Sequence, residues 1–237
     1  MTHFLKIFLT SLSDLFYPRH CEGCQRALLE EEFLCYDCWE QLEPLPEPCC
    51  EICSYPLFCA DSKTCSNCAE RRLHFVAGVG AFRYQGLTQE LLARYKYGRD
   101  QSLRPLLQQL ITRALQDERL HGIDFAAVVP VPLHSLRQRE REFNQVLPLA
   151  KEVARHKKLP LRSLLKRVAP TSFQAGSNRE KRLKNLEGAF ALRRPTSLNG
   201  NYLLVDDVLT TGATLDECAK VLLQAGAENV WAVTLAR

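Results

Sequence analysis

The sequence predicts an α/β fold with a mainly parallel sheet, preceded by a small cysteine-rich module. Three observations carry that prediction. From Phe75 onward, short apolar runs of strand length alternate with amphipathic helical patterns, the order that builds a parallel sheet. The run Tyr202–Val205 is apolar throughout, as a strand covered on both faces is. Ten of the 11 cysteines stand within the first 68 residues, eight of them in four Cys-x2-Cys pairs. The 237 residues suffice for one α/β domain of ordinary size plus a small accessory module. The expected division is 1–72 for the cysteine-rich module with its N-terminal helix and 73–237 for the α/β domain.

Residues 1–17 carry a helical apolar stripe interrupted by Lys6 and Asp14, without the small-residue cleavage site of a secretory leader. No run approaches the length needed to span a bilayer. The stripe reads as a docking helix packed on its own protein. The cysteines read as thiolate metal ligands in a reducing cytoplasm, the rival being a secreted disulfide framework. Cys21-x2-Cys24 and Cys35-x2-Cys38 are ten residues apart, and Cys50-x2-Cys53 and Cys65-x2-Cys68 eleven. Each turn can present two sulfurs to one metal, and two turns complete a tetrahedron, so the pattern predicts a double zinc ribbon with two Zn2+ ions. Interleaved pairing and loss of one site are the alternatives, and either spare cysteine, Cys49 or Cys59, could replace a neighbour as ligand. Four protein ligands close each site, which makes its role structural. A module this small could hardly bury enough core to fold without metal. Pro44, Pro46, Pro48 and Pro56 stiffen the link between the ribbons.

The α/β elements come next along the chain. Val76–Tyr84 reads as a strand and Leu87–Gly98 as a helix ending at glycine. A second helix is marked by Leu103, Leu106, Leu107, Leu110, Ile111, Ala114 and Leu115, with Gly122 after its end. The run from Asp124 is a buried strand stopped by Pro130 and Pro132, and a helix from Asn144 to about Lys157 succeeds it. Val230–Leu235 is expected to close the sheet. Cys218 lies on the apolar face of the last long helix and reads as ordinary core, and the histidines (His74 and His121 among them) as surface or loop residues.

The most informative stretch is YLLVDDVLTTGAT, Tyr202 to Thr214. Tyr202–Val205 is a buried strand, and Asp206 and Asp207 stand at its carboxyl end, facing a cleft. Thr210, Thr211, Gly212, Ala213 and Thr214 then turn into a helical pattern. Ligands of open α/β sheets sit at the carboxyl ends of strands. A Thr- and Gly-rich turn at a helix start offers N–H groups, hydroxyls and the positive end of the helix dipole to a phosphate. Adjacent acids beside an anion site suit sugar hydroxyls or a divalent cation, so the parts together describe a pocket for a ribose phosphate. A capped turn with two solvated acids would leave the coincidence of these features unexplained. Neither a Walker loop nor a GxGxxG fingerprint is present.

That stretch closely resembles the phosphoribosyl pyrophosphate signature of the type I phosphoribosyltransferases. The resemblance implies that the two acids hold ribose hydroxyls, that the Thr-Gly turn wraps the 5′-phosphate, and that phosphoribosyl pyrophosphate comes with Mg2+. VPVPLHSLRQREREFNQ (Val129–Gln145) matches that family's pyrophosphate loop in position. There Val131, Pro132 and Leu133 would contribute mostly backbone, and Arg141 and Asn144 would hold pyrophosphate or cap a helix. Lys96, in YKYG, resembles a Lys-Tyr position at the pocket rim, or is an exposed helix-end lysine. The PVP…RxFNQ segment, the stretch from Thr171 to Phe190 and the cysteine ribbons together resemble the ComF family of bacterial competence proteins over nearly the whole chain. Glu142 departs from the glycine usual there. It strains the turn, or forces another geometry, if that glycine supplies a positive φ.

Charge adds a partner class. Residues 133–195 hold 16 Lys or Arg against 5 Asp or Glu, a net +11, which leaves −7 for the rest of a chain whose total is +4. Such a block points to an anionic partner. The candidates for contact with single-stranded DNA are Arg155, Lys157, Lys158, Lys166, Arg167, Lys181, Arg182 and Lys184. A solvated face around an anionic pocket is the plainer reading. With only Phe143, Phe173 and Phe190 as aromatics in the block, base stacking has little support. The ComF resemblance implies a cytoplasmic protein of DNA uptake, near the inner face of the membrane, that handles single strands beside a competence helicase. The alternatives are a transferase acting on an unknown nucleobase or other acceptor, and a scaffold whose ribbons dock another protein.

Overall fold

The computed structural model describes residues 19–28, 32–59, 61–98, 100–133, 144–168 and 186–237. The docking helix expected within residues 1–17 lies outside them. Among the described residues, four parallel strands form the central sheet: β1 (Gly78–Phe82), β2 (Phe125–Pro130), β5 (Asn201–Val208) and β6 (Asn229–Ala236), in the order β1-β6-β5-β2. The strand expected to close the sheet therefore lies inside it. β6 is buried from Val230 to Ala236, and a strand apolar on both faces belongs between two others. Pro130 sits at the end of β2, on the sheet edge, where a missing N–H costs no ladder bond.

Alternation along β5 separates two cores. Leu203 and Val205 face α3 (Gly86–Tyr97), α4 (Arg104–Ile111) and α5 (Val146–Lys157). Tyr202 and Leu204 face α6 (Ala213–Gln224). Each buried Leu or Val in these layers contributes roughly 1.5–3 kcal/mol. The second predicted helix is broken into a 3-10 turn (Gln101–Leu103), α4, and a further 3-10 stretch (Thr112–Gln116). Pro105 starts the α-helical part, a position where its absent N–H is harmless. A small antiparallel pair, β3 (Leu165–Arg167) with β4 (Phe190–Leu192), has no counterpart in the sequence reading. Among the described residues, no helix is long and apolar enough to cross a membrane.

The ribbons are one structure used twice. In each, a Cys-x2-Cys turn leads into a residue in the left-handed region, Gln25 (φ 63°) and Ser54 (φ 58°). The N–H of that residue donates back to the first cysteine's carbonyl, at 2.8 Å for Gln25 and 2.9 Å for Ser54. Short helices, α1 (Tyr36–Glu40) and α2 (Ser66–Ala69), start directly after Cys35 and Cys65. Cys21 and Cys38 join the core of the α3–α5 face, and the second cysteine set joins that of the α6 face.

Candidate functional site

Both cysteine groups are assembled. Cys21, Cys24, Cys35 and Cys38 form one, Cys50, Cys53, Cys65 and Cys68 the other, and within each the sulfurs lie within 4.8 Å of one another. Zn–S bonds of about 2.3 Å in a tetrahedron place sulfurs roughly 3.8 Å apart. Cys24 and Cys35 stand at 3.7 Å, as do Cys53 and Cys65, so the donor sets fit zinc. At Cys53, a hydrogen bond from Cys68 and the Arg237 guanidinium outweigh burial and lower the thiol, while the same hydrogen bond and burial raise Cys68. Cys49 belongs to neither group. It bridges Pro56 as His20 bridges Ala27, so the repeat makes it the counterpart of His20.

At the carboxyl end of β5, strand alternation sends the two neighbouring acids to opposite faces of the sheet. Asp207 faces α3, where Lys96 Nζ donates to its Oδ1 at 2.7 Å. Their side chains are only 12% and 13% exposed, so Lys96 is not a free helix-end lysine. Burial pulls the Lys96 ammonium down, but Asp207 and the nearby Asp206 hold it above its ordinary value. Asp206 faces α6. Burial and the charge of Asp207 push its carboxyl up to about 7, against the Asp207 N–H it accepts from, Lys96 and Arg167. Cys218 is buried on the same side, its thiol raised well above the usual value by burial and by Asp206.

The turn after β5 adopts the geometry the sequence expects. Gly212 takes φ +77° and is the residue from which α6 starts. Thr210 is exposed, Thr211 and Thr214 half-buried, and Ala213 buried. At the end of β2, Val131 donates its N–H to the Val205 carbonyl (2.9 Å), and its own carbonyl accepts from Asn144 Nδ2 (3.4 Å). The backbone contribution expected at Val131 is thus consumed inside the protein. Pro132 is buried and Leu133 half-buried. Asn144 caps α5, its Oδ1 accepting from the Val146 N–H at 3.1 Å. Arg141 and Glu142 lie outside the described residues.

Among the DNA candidates, Arg155 is paired with Glu152, and Lys158 and Lys166 are exposed. Lys157 is half-buried at the end of α5. Arg167 turns inward, 5.4 Å from the centre of the Phe190 ring, and acts on Asp206 instead of presenting its charge to solvent. Lys181, Arg182 and Lys184 lie outside the described residues.

Three residues of the site escaped the sequence reading. Gln145, buried, donates Nε2 to the Lys96 carbonyl at 3.1 Å and so fixes the end of α3. Arg71 and Arg237 each donate to carbonyls of the Thr turn. The only sequence signal for Gln145 was its place after Asn144, and isolated arginines gave none.

Over 230 residues the chain is 31% identical to Competence protein F of Haemophilus influenzae, covering 94% of this chain and 98% of that protein. The chain belongs to the ComF family. A second relative, Competence protein ComFC of Streptococcus pneumoniae, is 29% identical over 98% of this chain and 96% of its own length. Residues 12–69 match the double zinc ribbon domain, the segment that carries both cysteine groups. The ComF chain also overlaps an adenine phosphoribosyltransferase from Leishmania tarentolae over 58% of each chain at 16% identity, a loose overlap with a TM-score of 0.32.

Proposed function

We propose that this ComF protein serves DNA uptake in the cytoplasm, binding phosphoribosyl pyrophosphate with Mg2+ and handling single-stranded DNA beside a competence helicase. One observation carries the ligand reading: the Thr210–Thr214 turn at the start of α6 and the carboxyls of Asp206 and Asp207 share one strand end. Asp206 and Asp207 would meet the ribose hydroxyls, directly or through Mg2+, the turn would take the 5′-phosphate, and Lys96, paired with Asp207, would stand at the pocket rim. The DNA-uptake reading is supported by the relatives named for competence, and the exposed Lys158 and Lys166 offer charge to a phosphate backbone. Calorimetric titration with phosphoribosyl pyrophosphate and Mg2+ tests the reading. Saturable binding without pyrophosphate release in the presence of nucleobases is the expected result, and no binding contradicts it.

A transferase reading has one observation in its favour. A carboxyl brought to about 7 can exchange a proton near neutral pH, as a general base must. Pyrophosphate release with a single nucleobase, lost in Asp206→Asn, would move the enzyme to first place.

A further inference from the structure

The carbonyls of three consecutive residues after β5 are gripped by guanidinium groups. Arg237 Nη1 donates to Leu209 O (3.1 Å) and Thr210 O (2.7 Å), and Arg71 Nη1 donates to Thr211 O (2.9 Å). The rest of the Arg237 head is committed to the second cysteine group. Nε donates to Cys53 O at 2.6 Å and Nη2 to Cys53 Sγ at 3.2 Å, and the Tyr55 ring centre lies 5.0 Å from the guanidinium carbon. Arg71 stands three residues after Cys68 and is only 16% exposed. Its other arm lies 3.8 Å from Asp216 in the first turn of α6, and Asp216 also accepts the His74 N–H at 2.6 Å.

The consequence lies on the opposite side of the turn. In a planar trans peptide, a carbonyl and the N–H of the next residue point in opposite directions. Carbonyls drawn to Arg71 and Arg237 therefore aim the N–H groups of Thr210, Thr211 and Gly212 away from them. None of those three amides has a hydrogen-bond partner among the described residues. The first cysteine group makes no hydrogen bond to the turn among the described residues. Its link runs from Glu22 through Arg94 to Asp100.

We propose that Arg71 and Arg237 are positioning residues that couple the second four-cysteine centre to the phosphate turn. Metal at that centre holds Cys53 and the segment leaving the ribbon after Cys68 in place, and the arginines pass that order to three anion-facing amides. Loss of that metal releases the turn, whereas loss of the first does not. The anion in this account rests on the sugar-phosphate reading above. The coupling of metal centre to turn does not.

The test uses the full-length, zinc-loaded protein with its Arg71→Ala, Arg237→Ala and Arg237→Lys variants. NMR order parameters for the amides of Thr210, Thr211 and Gly212 report the turn without ligand. They should fall from rigid values of about 0.85 to below about 0.6 in the Ala variants while two zinc ions stay bound. Competition with a zinc chelator, with and without phosphoribosyl pyrophosphate and Mg2+, reports the coupling, because linkage between two sites is reciprocal. The ligand should tighten one of the two zinc ions of the wild type, and the single zinc ion left in Cys35→Ser, by roughly tenfold, and neither zinc ion of Arg237→Ala. Arg237→Lys keeps the charge but cannot span a sulfur and three carbonyls, so it should behave as Arg237→Ala and serves if that variant does not fold. Unchanged order parameters in both Ala variants overturn the proposal, as does a ligand that binds without tightening either zinc. Loss of order in the variants of a wild type that binds no phosphoribosyl pyrophosphate would support the coupling while refuting the ligand reading.

Discussion

Asp206 and Asp207 are neighbours on β5, yet one is ion-paired and the other is a carboxyl held up to about 7 by burial and by its neighbour's charge. That difference fixes the sign of a pH effect. Folded protein keeps a proton on Asp206 that the unfolded chain, at 3.8, has released, so stability falls as pH rises from about 4 to about 7 and is level above that. At about 1.4 kcal/mol per pKa unit, the cost at pH 8 is at most roughly 4 kcal/mol. Asp206→Asn should therefore be more stable than the wild type at pH 8, by a margin that shrinks toward pH 5. Urea unfolding at several pH values would show this, and a margin independent of pH would refute it. The same substitution should weaken sugar-phosphate binding, so the carboxyl is retained at a cost in stability. The adjacent acids were legible in the sequence. Their opposite outlooks come from strand alternation, but the partners they find, Lys96 on α3 and Arg167 on β3, depend on long-range packing that local pattern does not encode.

Among the elements, the ribbons were the most legible, because a tetrahedral donor set is written into the Cys-x2-Cys spacing. The exclusion of Cys49 was not, since it depends on bridge register in the repeat. Replacing Cys35 by Ser should remove one zinc and Cys65 by Ser the other, and elemental analysis of the purified variants would return about one zinc per chain. Two zinc ions retained in either variant would contradict the ligand sets. Gly212 gives a second prediction. An added Cβ at φ +77° would stand 3.4 Å from Phe75 Cζ, so Gly212→Ala should cost about 1–2 kcal/mol of stability in denaturant unfolding and disturb the turn. A change under a few tenths would mean that the turn is not constrained as described. β3 and β4 stayed illegible because strands of three residues are too short to show a periodicity. β6 was recognised as a strand, but its central place is a matter of pairing order, which its apolar run suggests and cannot specify.

At the scale of the whole molecule, the exposed lysines proposed to meet DNA lie apart from most of the exposed aromatics among the described residues. The exposed Lys158 and Lys166 belong to the α/β domain, as does the exposed Tyr97, while the exposed Tyr36, Trp39, Tyr55 and Phe58 stand on the ribbons. Single-strand binding should therefore be governed by counterion release, falling on a log–log salt plot with a slope of about −0.7 per phosphate contacted and with weak sequence preference. Charge reversal at Lys158 and Lys166 together should reduce both affinity and slope in filter binding. A flat salt dependence would confine the basic block to the pocket. The central claim is the sugar-phosphate site at the end of β5, and the most direct measurement is calorimetry of phosphoribosyl pyrophosphate with Mg2+ on the wild type and on the chain carrying Asp206→Asn and Asp207→Asn together. Each charge-assisted hydrogen bond lost should cost about 1.5–3 kcal/mol. The predicted result is saturable binding in the wild type and none in the double variant, with circular dichroism showing both folded. Equal affinity in two folded proteins would contradict the account.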